Sequence, residues 1–301
     1  MNKRKYINEL KKYEPIYVIG HSNIDIDSAI SSKLLSEILS FFGIKANYAI
    51  LDSNYIFDEY NKSMLEECTK FEPKKISKQN IKKYNFFLVD HNDFLQSVGP
   101  DANIIGCIDH HPNSRKVKNV IITDCCATSL FLYKFFKEIY DFSSEQKYEI
   151  FMAFLNDSTF GKSSRYKSSD EALIKELGFN INYDELFKKY FKPTDLTRGV
   201  KNALFNGHKK YQFEYLNFES GYIESFGIKG MDEYENIIKT MQNFLGIWID
   251  YNIPKTYVFF SYKNNFMKWK YNFVASRATT ILNDVMNIIN RKYNTNLSFF
   301  L

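Results

Sequence analysis

Short apolar runs that stop abruptly at aspartate and histidine recur along this chain, and they limit its fold more than any other feature. Tyr17-Val18-Ile19-Gly20 leads into His21, Asp25 and Asp27. Phe86-Phe87-Leu88-Val89 leads into Asp90-His91-Asn92-Asp93, and Ile104-Ile105-Gly106-Cys107 into Ile108-Asp109-His110-His111. A fourth apolar stretch begins near Ile150 and ends at Asn156-Asp157-Ser158. Four of the five histidines fall in these clusters, so the pattern is not spread by composition. Apolar runs of strand length without polar alternation belong to strands covered on both faces.

Residues 16–20, 47–51, 85–89, 104–108 and 119–123 read as such strands, and helical patterns over 28–42 and 127–139 separate several of them. Alternation of this kind predicts an α/β fold with a doubly wound, mainly parallel sheet. Gly20 permits a sharp exit from the first strand, and Asp25, Asp27 and Ser28 are good helix starters. His21, Asp25 and Asp27 are therefore expected on a strand-to-helix loop, at the sheet edge where open parallel sheets bind ligands. A further helix is expected over roughly 143–155, with Asp157 leaving either a helix or a strand.

Carboxylates and imidazoles gathered beside buried strands are costly without a partner, and a divalent first-row ion accepts both donor types. His21, Asp25, Asp27, Asp90, His110 and Asp157 exceed what one catalytic ion needs. Two ions roughly 3.5–4 Å apart, sharing carboxylates, suit six donors better. A lone strand-end aspartate is commonly only a turn or cap residue, but that explanation has to be repeated at every cluster. His91 reads equally as a supporting residue or as part of a turn.

These motifs resemble the DHH phosphoesterase superfamily from about residue 16 to about residue 177. The resemblance rests on Gly20 to Ser28, Val89 to Asp93, Ile108 to Pro112 and Asn156 to Ser158, in that order. Within it the chain looks most like manganese-dependent (family II) inorganic pyrophosphatases and related exopolyphosphatases, on His21 before the paired aspartates, Val89 to Ser97, and Asp157-Ser158 to Lys162-Ser163. The resemblance implies that His21 and Asp25 hold one metal and Asp27 and His110 the other. It implies that Asp90 and Asp157 bridge the two, and that His111 contacts the substrate phosphate. Catalysis would then rest on His111, Asp90 and Asp157. Two Mn²⁺ ions are the implied cofactors, with Mg²⁺ or Co²⁺ as substitutes.

The same resemblance expects cations for a distal phosphate in the second half. Arg277, in Ser276-Arg277-Ala278, and Lys209 are the candidates, although the family's Ser-Arg-Lys motif lacks its lysine here. Gly221-Tyr222-Ile223, a helix over Met231 to Leu245 and Phe273 to Arg277 look also like the accessory domain of oligoribonucleases and 3′-phosphoadenosine phosphatases, without that domain's glycine-rich stretch. The expected activity is a two-metal phosphohydrolase acting on a phosphoanhydride such as pyrophosphate or short polyphosphate. Its alternatives are a phosphodiesterase or phosphatase of short oligonucleotides or nucleotide bisphosphates, and an inactive phosphate or nucleotide sensor.

With 301 residues and 45% apolar content the chain is long enough for two domains. The expected division is a metal-binding domain over 1–187, a helical linker over 188–215 around Pro193, and a small α+β substrate-binding domain over 216–301, the two domains facing a cleft. Helices are expected from Lys175 to Phe191, Asp195 to Leu204 and Thr279 to Tyr293. A hairpin is expected from Tyr257–Tyr262 and Met267–Val274. The net charge of +5 is dispersed, which argues against a long nucleic-acid partner. Arg115, Lys116 and Lys118 are placed to draw in phosphate. Cys68, Cys107, Cys125 and Cys126 form no Cys-x-x-Cys pair and read as buried thiols of a reducing compartment. No apolar run approaches the ~20 residues of a membrane span, and the charged start has no signal-peptide core. The resemblance implies a small phosphorylated substrate, a short oligonucleotide at most, as the partner; no membrane partner is expected, the expected compartment is the cytoplasm, and a homodimer is left open.

Overall fold

The computed structural model describes residues 2–52, 56–57, 59–111, 113, 117, 119–158, 160–161, 165–190, 209–213, 216–224, 256–264 and 268–274. The chain divides into two compact units, Met1–Phe191 and Lys192–Leu301. In chain order the first unit holds α1 (Lys3–Leu10), β1 (Ile16–Ile19), β2 (Asn23–Ile24), α2 (Ile26–Phe41), β3 (Ala46–Leu51), β4 (Ile56–Phe57), α3 (Glu59–Cys68) and β5 (Lys74–Ile76). It continues with β6 (Asn85–Val89), β7 (Asn103–Asp109), β8 (Val120–Ile122), α4 (Thr128–Phe136), α5 (Ser144–Asp157), α6 (Ser168–Glu176) and α7 (Tyr183–Tyr190).

Six of these strands form one sheet in the order β5-β3-β1-β6-β7-β8, and every pairing in it is parallel. The chain runs outward from β1 through β3 to β5, then returns to the other side of β1 and runs outward again through β6, β7 and β8. The direction of winding therefore reverses between β1 and β6, and in an open parallel sheet that reversal opens a crevice at the carboxyl edge. The expected α/β class with a mainly parallel sheet is the fold observed.

Side-chain alternation sorts the strand residues onto two faces. Val18, Phe87, Val89 and Ile108 join one apolar cluster with residues of α1 to α6. Tyr17, Ile19, Phe86, Leu88 and Cys107 join a second cluster, closed by Ile81, Val98 and Val117 from short 3₁₀ turns and loops. The helices thus crowd one face while the other is roofed by irregular chain. Gly20 is required where β1 meets α2, because a Cβ there would collide with the side chain and carbonyl of Ser28. Its role is this close approach rather than a sharp turn.

One open alternative is decided and one local expectation changes. Asp157 is the last residue of helix α5, whose start is fixed by a reciprocal Ser143–Gln146 capping box. The expected helix from Lys175 to Phe191 is instead α6 and α7, because Gly178, with φ +98°, ends the first of them.

The second unit contributes β9 (Lys209–Phe213), β10 (Leu216–Glu224), β11 (Thr256–Asn264) and β12 (Lys268–Val274). They form a mixed sheet in the order β12-β11-β10-β9, with only the β10–β11 pairing parallel. β11 and β12 pair antiparallel as the expected hairpin. β9 falls within the span read from sequence as linker. The expected helices over Asp195–Leu204, Met231–Leu245 and Thr279–Tyr293 lie outside the described residues.

Candidate metal centre

The crevice between β1 and β6 is where the expected donors meet. His21 follows β1 and Asp90 follows β6, on strands paired side by side. Asp90 takes a left-handed backbone, φ 60°, a conformation that aspartate tolerates better than most residues. Its amide donates to the Ile108 carbonyl at 3.0 Å, so the turn is tied to β7. Backbone held in a sparsely populated region is characteristic of working sites.

Asp25 and Asp27 come from the start of α2. Asp25 is the N-cap: Oδ1 accepts from the Ser28 amide at 2.8 Å, while Oδ2 lies 3.1 Å from His21 Nε2. Asp27 is wholly buried, and its carboxylate accepts from the Thr128 and Ser129 amides at 2.6 and 2.9 Å. These are free amides at the first turn of α4, where an anion is favoured. Asp157 arrives from the end of α5 and His110 from the end of β7.

Three sets of residues bring ligand atoms within 4.8 Å of one another; one is Asp90, Asp109, His110 and His111, and two hold the expected donors, His21, Asp25 and Asp90 in one and Asp27, Asp90, His110 and Asp157 in the other. Asp90 belongs to both. Its Oδ2 lies 3.2 Å from His21 Nε2 and its Oδ1 lies 3.1 Å from His110 Nε2. Asp157 Oδ2 lies 3.4 Å from the same His110 nitrogen. Six of the sequence-selected residues therefore converge. Arg277 lies outside the described residues, as do Arg115, Lys116 and Lys118, and Lys209 opens β9 of the second unit.

Burial and crowding set the proton affinities. Burial, with Asp90 nearby, raises the Asp27 carboxyl to about 7. Burial and the Asp25 charge raise Asp90 to about 6, and burial with three neighbouring aspartates lifts Asp157 well above the usual carboxylate range. Burial opposes a charge on His21, but the Asp25 and Asp90 carboxylates outweigh it and raise the ring to about 10. Burial and the Arg165 guanidinium lower His110 to about 4. Mutual repulsion among buried carboxylates is relieved by cations.

The donor chemistry suits divalent ions. Asp90 Oδ2 is buried with only the His21 ring nitrogen beside it, at 3.2 Å, and no further donor, a setting in which a cation would be well received. Oxygen and imidazole donors in one buried cage match first-row ions, and a carboxylate common to both sets matches a pair of them.

Residues 15–156 match the model of the DHH family, N-terminal domain. The first unit contains a DHH-family domain. The family's eponymous triplet is Asp109-His110-His111, at the end of β7. The chain is also similar in fold to the crystal structure of a Methanococcus jannaschii protein provisionally assigned as a family II inorganic pyrophosphatase. That likeness has a TM-score of 0.69 at 18% identity and covers 93% of this chain and 100% of the other. An exopolyphosphatase-related protein from Bacteroides fragilis aligns with a TM-score of 0.49 at 15% identity, over 90% of this chain and 84% of its own. No curated protein sequence matches the chain.

Around these donors two contributions escaped the sequence reading, those of Asp109 and Arg165, and His91, left open there, finds its partners. Asp109 acts through His111: its Oδ1 sits 2.8 Å from His111 Nδ1 and accepts from the His111 amide at 3.0 Å. The other Asp109 oxygen accepts from the Asn92 side-chain amide. His91 is structural, its ring nitrogens 2.8 Å from the Val89 carbonyl and 2.6 Å from Ser97 Oγ. Arg165 reaches His110 from the connection after α5, its Nη1 3.2 Å from Nε2. Asp109 and His91 carried a motif signal; Arg165, in a run of serines and lysines, carried none. No helix among the described residues is long and apolar enough to cross a membrane.

Proposed function

We propose that this protein is a two-metal phosphohydrolase that cleaves a phosphoanhydride of a small substrate, pyrophosphate or short polyphosphate. The observation that carries the reading is Asp90: one carboxylate shared by two sets of buried donors at the winding reversal of a DHH domain. The fold likeness to a protein provisionally assigned as a family II pyrophosphatase is consistent with it.

His21 and Asp25 would hold one ion, and Asp27 and His110 the other. Asp90 would bridge, while Asp157, expected as a second bridge, falls in the second set alone. Two imidazoles in the donor set favour Mn²⁺ over Mg²⁺, which prefers oxygen alone. Such a pair supplies a water acidic enough to attack at neutral pH and positive charge for the phosphoryl oxygens. The protein's own part is positional. Asp109 pins His111 through both backbone and ring, so that its imidazole is held for a phosphate oxygen. Asp27 is immobilised by α4, and Asp25 by α2. Hydrolysis would form one P–O bond to the water oxygen as the bond to the bridging oxygen breaks, the leaving fragment taking up a proton of the water; pyrophosphate would give two phosphates and a longer chain one phosphate and the shortened chain. Arg277 and Lys209 are the second-unit candidates for gripping the distal phosphate.

The test is a Mn²⁺-loaded substrate panel of pyrophosphate, tripolyphosphate, a dinucleotide and adenosine 3′,5′-bisphosphate. Turnover of the first two is expected. Turnover confined to the last two would replace the anhydride reading with a nucleotide phosphoesterase.

A further inference from the structure

We infer that Arg165 is a substrate-binding cation of this centre, holding a phosphoryl oxygen of the substrate beside the ions. The inference rests on the metal-centre reading above and adds to it a group for which the family match gives no role.

The geometry places Arg165 at the donors themselves. Its Nη1 is 3.2 Å from His110 Nε2, the same nitrogen that faces Asp90 Oδ1 at 3.1 Å and Asp157 Oδ2 at 3.4 Å. The chain on either side is anchored. Phe160 is buried, and the Gly161 amide donates to Ser158 Oγ at 3.1 Å. The ring of Tyr166 packs 6.1 Å from Phe154 and 5.7 Å from Tyr183, while its hydroxyl donates to Glu171 at 2.8 Å. Arg165 is thus carried next to the cage by a fixed neighbour.

A guanidinium is permanently charged, donates only, and cannot ligate a cation. The His110 lone pair can serve Arg165 or an ion, not both. Once the nitrogen is given to an ion, Arg165 must turn away while its backbone stays at the rim. A phosphoryl group, with several anionic oxygens held beside the ions, matches the fork of donors that a guanidinium presents. One side chain then serves twice: it offsets the carboxylates in the metal-free protein and grips phosphate in the loaded one. The ligand class is a phosphate bearing at least two non-bridging oxygens.

Titration calorimetry on the full-length protein tests this in two arms, Mn²⁺ alone and then methylenediphosphonate on Mn²⁺-saturated protein. For R165A the diphosphonate should bind about 10- to 100-fold more weakly, with two ions still taken up at equal or higher affinity. R165K should recover part of the loss. Wild-type-like diphosphonate binding by R165A would overturn the inference and leave Arg165 as a neutraliser of carboxylates only. A wild-type protein that takes up Mn²⁺ but ignores the diphosphonate would also overturn it. A wild-type protein that takes up no Mn²⁺ would overturn the metal-centre reading, and this inference with it.

Discussion

His21 and His110 occupy corresponding places, each following a parallel strand and each facing Asp90, yet their proton affinities diverge. His21 lies 3.1 Å from Asp25 and 3.2 Å from Asp90, and its ring is raised to about 10. His110 lies 3.1 Å from Asp90, 3.4 Å from Asp157 and 3.2 Å from the Arg165 guanidinium, and is lowered to about 4. Burial presses both rings toward neutrality, so the difference lies in what stands beside them. The His21 half stores its compensating charge as a proton on the ligand itself. The His110 half borrows it from an arginine and keeps its imidazole ready to donate. Two neighbouring donor sets of similar chemistry would therefore load ions under different proton conditions.

Removing the residue common to both halves should have the largest effect. Asp90→Ala should abolish two-ion binding and lower turnover on the order of 10³-fold or more. His21→Ala should instead leave one ion in the His110 set. Metal analysis of the purified variants distinguishes them, and equal stoichiometry in the two would break the picture of a shared bridge.

The second effect is on pH. A group whose affinity for protons is raised must give one up to become a ligand, so metal affinity rises with pH until that group is already deprotonated. At the His21 half the ring at about 10 should make Mn²⁺ affinity climb across pH 6–9, by about tenfold per unit for one proton displaced. At the His110 half the imidazole, at about 4, releases nothing in this range, and the dependence should come only from carboxyls, Asp27 at about 7 and Asp157 well above the usual range. Calorimetry in buffers of different ionisation enthalpy counts the protons released. One pH slope common to both binding events would show that the halves are not distinct.

The smallest of the three expected changes comes from outside both halves. Asp109→Asn keeps the shape of the side chain but removes the charge that holds His111 Nδ1. Turnover should fall about 10- to 100-fold with metal content intact. Loss of metal instead would make Asp109 a ligand rather than an orienting group.

What could be seen in the sequence was whatever the backbone itself dictates. β1, β6 and β7 are covered on both faces, so they appear as uninterrupted apolar runs, and the residues after them had to lie at the carboxyl edge. Asp25 was visible as a cap. Asp157 was visible as a residue but not as a helix end, since a short apolar run has the same appearance in a buried strand and a buried helix. Arg165 could not be seen, because its place depends on Tyr166 packing against Phe154 and Tyr183, contacts between segments that no local pattern encodes. The end of α6 at Gly178 did carry a local signal, a glycine just past a lysine in the last turn, that the expected longer helix passed over.

The two amides of α4 that clasp Asp27 make this side chain a rivet between segments about a hundred positions apart. An ion seated on that carboxylate would pull on the framework as well as on the ligand. Heat resistance and metal loading should therefore rise and fall together in this protein, and damage at Asp27 would loosen the scaffold along with the chemistry.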